Sequence, residues 1–105
     1  MRKVGIVGIG QLPFKSRYDD KSFLALALEA TKKALDDAKI SKEDVDEVVY
    51  SIYCELMLRQ QIPEVLVQEY LGMHGKPSIR LASGAATGLY ALYAAYAQVA
   101  SGLAD

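Results

Sequence analysis

The sequence predicts an α/β fold, part of a doubly wound parallel sheet. Three observations carry that expectation. Short apolar runs rich in β-branched residues lie at Val4–Ile9 and Glu47–Tyr53, and a short extended piece at Ser78–Leu81. Segments with helical spacing follow each of them. The resulting order, strand, helix, strand, helix, strand, helix, suits a parallel sheet with right-handed crossovers.

At 105 residues, 51% of them hydrophobic and 24% charged, the chain holds one domain at most. A formal net charge of −1 offers no electrostatic basis for binding nucleic acid or a membrane surface. Cys54 is the only cysteine, so an internal disulfide and a cysteine-rich zinc site are excluded. A single histidine, His74, cannot make a metal site alone, and no metal is expected. Residues 1–20 lack the apolar core of a signal peptide, and a cytoplasmic protein is the expectation. Gly102-Leu103-Ala104-Asp105 reads as a turn leading into a further strand. Residues 1–105 are therefore expected to be the first part of something longer.

Val4, Ile6, Val7 and Ile9 fit a strand buried on both faces. Gly8-Ile9-Gly10 resembles the start of a dinucleotide fingerprint, but Pro13 stands where the last glycine belongs and no helix opens there. The glycines are read instead as letting the strand end pack closely against a neighbour. Asp20 or Asp19 is expected to cap the next helix. That helix carries Phe23, Leu24, Ala27, Ala30, Ala34 and Leu35 on one face, with Glu29 and Lys33 as an exposed i,i+4 pair.

Ser41-Lys42-Glu43-Asp44 predicts a capped single turn leading into the second strand. Cys54–Gln61 is expected to be a loop, with Cys54 a small buried hydrophobe rather than a nucleophile. Pro63 opens the next helix and Gly72 ends it. His74 falls in a linking loop, exposed and solvated. Ala85 to Ala100 contains no charged residue. It is too short to span a bilayer comfortably and is expected to be a helix buried on every side. Its tyrosines, Tyr90, Tyr93 and Tyr96, are expected to pack with their hydroxyls on polar partners.

The strand at Ser78–Leu81, the small-residue turn Ala82-Ser83-Gly84 and the helix behind it form a reactive-site geometry, since the free amides of a first helical turn point at whatever sits there. This stretch resembles the segment around the nucleophilic cysteine of the thiolase superfamily. Arg80-Leu81 matches its start, Thr87-Gly88 its hydroxyl–glycine pair, and Ala100-Ser101-Gly102-Leu103-Ala104-Asp105 its end. The resemblance is greatest to the sterol-carrier-protein-type and archaeal acetyl-CoA acetyltransferase-like group.

It implies a thiolase-like fold, of which this chain is a partial βαβαβα unit. It implies carbon–carbon bond formation or cleavage next to a coenzyme A thioester, with that thioester as substrate and no covalently bound cofactor. Ser83, Gly84, Ala86, Thr87 and Gly88 would line the substrate site. Ser78, Ile79, Arg80 and Leu81 would pair across the two-fold axis of a homodimer. A small OB-fold partner carrying a zinc ribbon is a further implication.

The family's cysteine position falls on Ala85, whose backbone amide would still serve an oxyanion hole. No cysteine lies between Met73 and Asp105, so shifting the register restores none. The alanine is either a replacement of that cysteine or the mark of a cysteine-free branch, working as aldol-type lyases or scaffolds. The coherent small-residue run Ser83–Gly88 favours the second.

Overall fold

The computed structural model describes residues Met1–Asp105 as three layers, helices on both faces of a small parallel sheet. The elements run α1 (Phe23–Ala38), a 3-10 turn (Lys42–Asp44), β1 (Val48–Ser51), α2 (Glu55–Leu58), α3 (Pro63–Tyr70), β2 (Ser78–Leu81) and α4 (Thr87–Ser101). β1 and β2 pair in parallel, from Val48 with Ser78 to Ser51 with Leu81. Side chains alternate across a strand. Val48, Tyr50 and Ile52 accordingly meet Val67, Leu71 and Met73, together with Phe23, Leu24 and Ala27 of α1. Val49 faces the other way, toward Ala95 and Val99 of α4.

The sheet has two strands rather than the expected three. Val4–Ile9 joins no ladder, and Ile6, Val7 and Ile9 are each more than 70% exposed. Of its amides only that of Ile9 finds a partner, Asp37 Oδ2 (2.9 Å), while Arg2 N–H, just before the segment, donates to the Ala100 carbonyl (3.1 Å). What the glycines do is as expected. A Cβ on Gly8 would lie 2.6 Å from the Ala34 carbonyl oxygen, and one on Gly10 would lie 2.2 Å from that of Ala30. Those contacts are with α1 backbone, so only glycine lets the segment lie this close.

The α1 helix has its expected span but a different cap. Ser22, not Asp19 or Asp20, accepts the Ala25 amide (3.1 Å). Asp19 is instead paired with Arg17 (2.6 Å). Glu29 bonds Lys21 (2.6 Å) rather than Lys33, because Lys33 Nζ turns to the Gln11 carbonyl (3.3 Å). The Ser41 turn forms as expected, with Asp44 Oδ2 accepting both the Ser41 amide (2.9 Å) and its hydroxyl (3.1 Å). The second strand is shorter than predicted, and Cys54–Gln61 contains the one-turn helix α2 in place of a plain loop.

The largest correction concerns α4. It is not buried on every side. Ala91 and Ala100 are buried against the sheet, while Leu89 (74%), Leu92 (53%) and Tyr93 (69%) are exposed. The small residues select the buried face because they allow close approach, and the large apolar ones fall on the opposite face. Tyr90 and Tyr96 are likewise about half exposed rather than packed. No helix is long and apolar enough to cross a membrane.

Candidate active site at the turn before the last helix

The site is built where β2 leaves the sheet. Leu81 ends the ladder, Gly84 takes a left-handed φ of +56° and reverses the chain, and α4 starts at Thr87. Thr87 is the keystone. It is 5% exposed, and its hydroxyl accepts the Ser83 amide (2.8 Å) while donating to the Gly84 carbonyl (2.7 Å). Two backbone bonds close the same turn, Ala86 N–H to the Ser83 carbonyl (3.2 Å) and Thr87 N–H to the Gly84 carbonyl (3.3 Å).

This leaves the amides of Ala82, Gly84, Ala85, Gly88 and Leu89 without a partner in the chain. Ala85 is exposed at the apex. The next helical amide, Tyr90, is already bonded to the Ala86 carbonyl (3.1 Å). Free amides at a helix start carry partial positive charge and favour an anion or a developing oxyanion. Gly88 keeps its surroundings open, since a Cβ there would meet only Ser51 Oγ, at 3.9 Å. Ser51, at the carboxyl end of β1, thus stands beside the first turn of α4. Sequence reasoning did not single it out.

Arg80 does more than follow the strand. Its Nε donates to the Ile52 carbonyl (3.0 Å), and its Nη1 reaches Glu55 Oε1 (2.5 Å) and Glu64 Oε2 (3.5 Å). Glu55 Oε1 also accepts the Ile62 amide (3.1 Å). The Arg80 guanidinium, and secondly that amide, hold the Glu55 carboxyl below its ordinary range. These carboxylates were missed in the sequence, although a charged residue between Ile79 and Leu81 demands a counter-charge when its strand is packed. Arg80, Glu55, Glu64, Tyr53 and Cys54 line one open groove that ends at Ala82 of the turn.

The structure brings Ser83, Gly84, Ala85, Ala86, Thr87 and Gly88 together in one turn. Ser78, Ile79, Arg80 and Leu81 pair with β1 along one edge, and β2 has no strand on its other edge. His74 lies at the opposite end of β2, its side chain 77% exposed and 3.9 Å from Glu69. Cys54 is half-buried and reduced. Burial lifts the Tyr50 hydroxyl to about 12, so it stays protonated at neutral pH. No group of histidine, cysteine and carboxylate side chains is arranged to hold a metal ion.

Fold and site together define an α/β protein with a backbone-amide turn at the carboxyl end of a parallel sheet. Such a turn is suited to acyl chemistry. The chain belongs to the thiolase family: residues 4–105 match the model of the thiolase N-terminal domain. It is 37% identical over 106 residues to an acetyl-CoA acetyltransferase of Methanocaldococcus jannaschii, all of this chain matching 27% of that protein. It is 36% identical over 96 residues to a β-ketoacyl-[acyl-carrier-protein] synthase III of Fusobacterium nucleatum, with 91% of this chain against 28% of that one. The crystal structure of 3-oxoacyl-[acyl-carrier-protein] synthase III from Aquifex aeolicus is similar over 82% of this chain and 28% of its own, with a TM-score of 0.70 and 26% identity. The chain thus spans about a quarter of the length of the relatives it matches.

Proposed function

We propose that this chain supplies the oxyanion-holding turn of an acyl-CoA-handling protein, one that makes or breaks a carbon–carbon bond next to a thioester. The observation that carries this reading is the set of unpartnered amides around the turn, those of Ala85, Gly88 and Leu89 among them, held in place by the buried Thr87 hydroxyl. In the proposed role, Ser83, Gly84, Ala86, Thr87 and Gly88 shape the substrate site, and the donors receive the thioester oxygen as negative charge develops on it. A coenzyme A thioester is the substrate class, with no covalently bound cofactor. Ala85 offers no nucleophile, so no acyl group is transferred to this position. Assembly as a homodimer would use the open edge of β2 at Ser78–Leu81. A small OB-fold, zinc-ribbon protein is the proposed additional partner.

A second reading is favoured by one feature. Ala85 sits in a closed turn that needs no larger side chain, as in a cysteine-free aldol-type lyase or a non-catalytic scaffold of the same fold. One substitution separates the readings.

Ala85→Cys, made with Cys54→Ser, places a thiol at the free amides. Its pKa is expected to fall below the ordinary value of about 8.5, read by alkylation rate against pH. Acetyl-CoA should then leave an acetyl adduct in the intact mass, with release of coenzyme A. A thiol of ordinary pKa that takes no acetyl group would sink the oxyanion reading. Acetoacetyl-CoA cleavage by an extended protein that keeps Ala85 would establish the lyase instead.

A further inference from the structure

We propose that Cys54–Ile62 is a latched strap, held closed by Arg80 over the apolar groove at the carboxyl end of β1. The inference does not depend on the acyl-CoA reading. Four observations carry it.

The strap holds its own shape weakly. Its only helix, α2, has four residues, and its closing bonds, Arg59 N–H to Leu56 and Gln60 N–H to Glu55, are both 3.3 Å. Leu56 and Met57 are each more than 80% exposed, so little packing fixes them.

The strap is also strained at one end. Ile62 has φ +41° and ψ +54°. A β-branched residue in the left-handed region is an outlier and persists only where its surroundings impose it. Arg59, at φ +53°, is a second left-handed position three residues earlier. Together they are two points about which the chain can swing.

The imposing contact is identifiable. The Ile62 amide is held by Glu55, and Glu55 is held by Arg80 on the β2 ladder. Arg80 also grips the Ile52 carbonyl, just before the strap, and Pro63, just after it, is fully buried. The ends are therefore fixed to the body, while the middle hangs on one carboxylate. Glu64 stands 3.5 Å from Arg80 as a second counter-ion, so losing Glu55 leaves the arginine paired and β2 in place.

Finally, there is something to uncover. Met57 and Leu58 form one wall of a groove of about 470 Å3 whose other lining includes Phe23, Ala27, Tyr50 and Val67. The groove is open to solvent on one side, and swinging the strap outward widens it toward Tyr50 and Val67.

The test is hydrogen–deuterium exchange by mass spectrometry on the 105-residue chain, with peptides covering 54–62, β1 and β2, alongside timed trypsin cleavage after Arg59. Glu55→Ala removes the latch, and exchange in 54–62 and cleavage after Arg59 should both speed up by about tenfold or more, with β1 and β2 unchanged. Ile62→Gly relieves the left-handed strain and should slow both below the unsubstituted chain. The proposal is overturned if Glu55→Ala leaves 54–62 unchanged, or loosens β1 and β2 as much as the strap. It is equally overturned if Ile62→Gly accelerates opening.

Discussion

Replacing Thr87 by valine should open the turn without changing its volume. The hydroxyl makes two bonds, from the Ser83 amide at 2.8 Å and to the Gly84 carbonyl at 2.7 Å, on a side chain that is 5% exposed. Each neutral bond is worth about 1 kcal/mol net, and an unpaired buried group costs somewhat more. Ser83 itself is exposed, so water can satisfy part of the loss. The sum comes to about 2 kcal/mol, or roughly 10 °C in Tm for a chain this size. Thr87→Ser keeps both bonds and loses one methyl, a cost of about 1 kcal/mol. Urea unfolding gives the energies, and amide exchange at Ser83 reports the bond itself. Valine should unprotect Ser83 while serine leaves it protected. If Thr87→Val is as stable as Thr87→Ser and Ser83 stays protected, the hydroxyl does not hold the turn, and the positioning of the Ala85 amide needs another cause.

Gly10→Ala should cost about 1–3 kcal/mol, because its Cβ would sit 2.2 Å from the Ala30 carbonyl oxygen. Gly5→Ala, with nothing within 4 Å, should be close to neutral in the same urea titration. Ser22→Ala removes the α1 cap and should lower stability by about 1 kcal/mol, whereas Asp20→Ala should not. Asp44 is held below its ordinary range by the Ser41 amide and, secondly, by the Ser41 hydroxyl. Its folded pKa is depressed, so its stabilisation is present above the unfolded value and is lost as pH falls through the folded one. Asp44→Asn should flatten that acid limb, and an NMR titration of Asp44 should show the depressed midpoint.

Much of the fold was legible because local rules acted alone. Apolar spacing from Phe23 to Leu35 set α1, Pro63 and Gly72 bounded α3, and the turn at Ser83–Gly88 could be read from its small residues. The cap of α1 was misread locally, by two residues, but most other misreadings share a cause, a partner far away in the sequence. Val4–Ile9 has strand composition, yet no strand pairs with it and only its Ile9 amide is bonded, to Asp37. Glu29 chose Lys21 over Lys33 once Gln11 was within reach of Lys33. The absence of charge from α4 suggested full burial, but only its alanine face is covered. Arg80 was noticed as a family mark, while its partners Glu55 and Glu64 lie on two other elements and could not be paired with it by spacing.

The pairing of Val48 with Ser78 also orders events in time. No ladder bond can form until residues 52–77 have been looped out, whereas α1 closes through contacts four residues apart. Loop closure must be met before distant contacts repay it, so α1 and α3 should form early and the sheet late. On a ribosome the delay is set by synthesis, since β1 leaves the exit tunnel ahead of β2. During that interval Val48, Val49 and Tyr50 present an unpaired apolar edge, and a chaperone engaging the nascent chain should dwell there until Leu81 has left the exit tunnel.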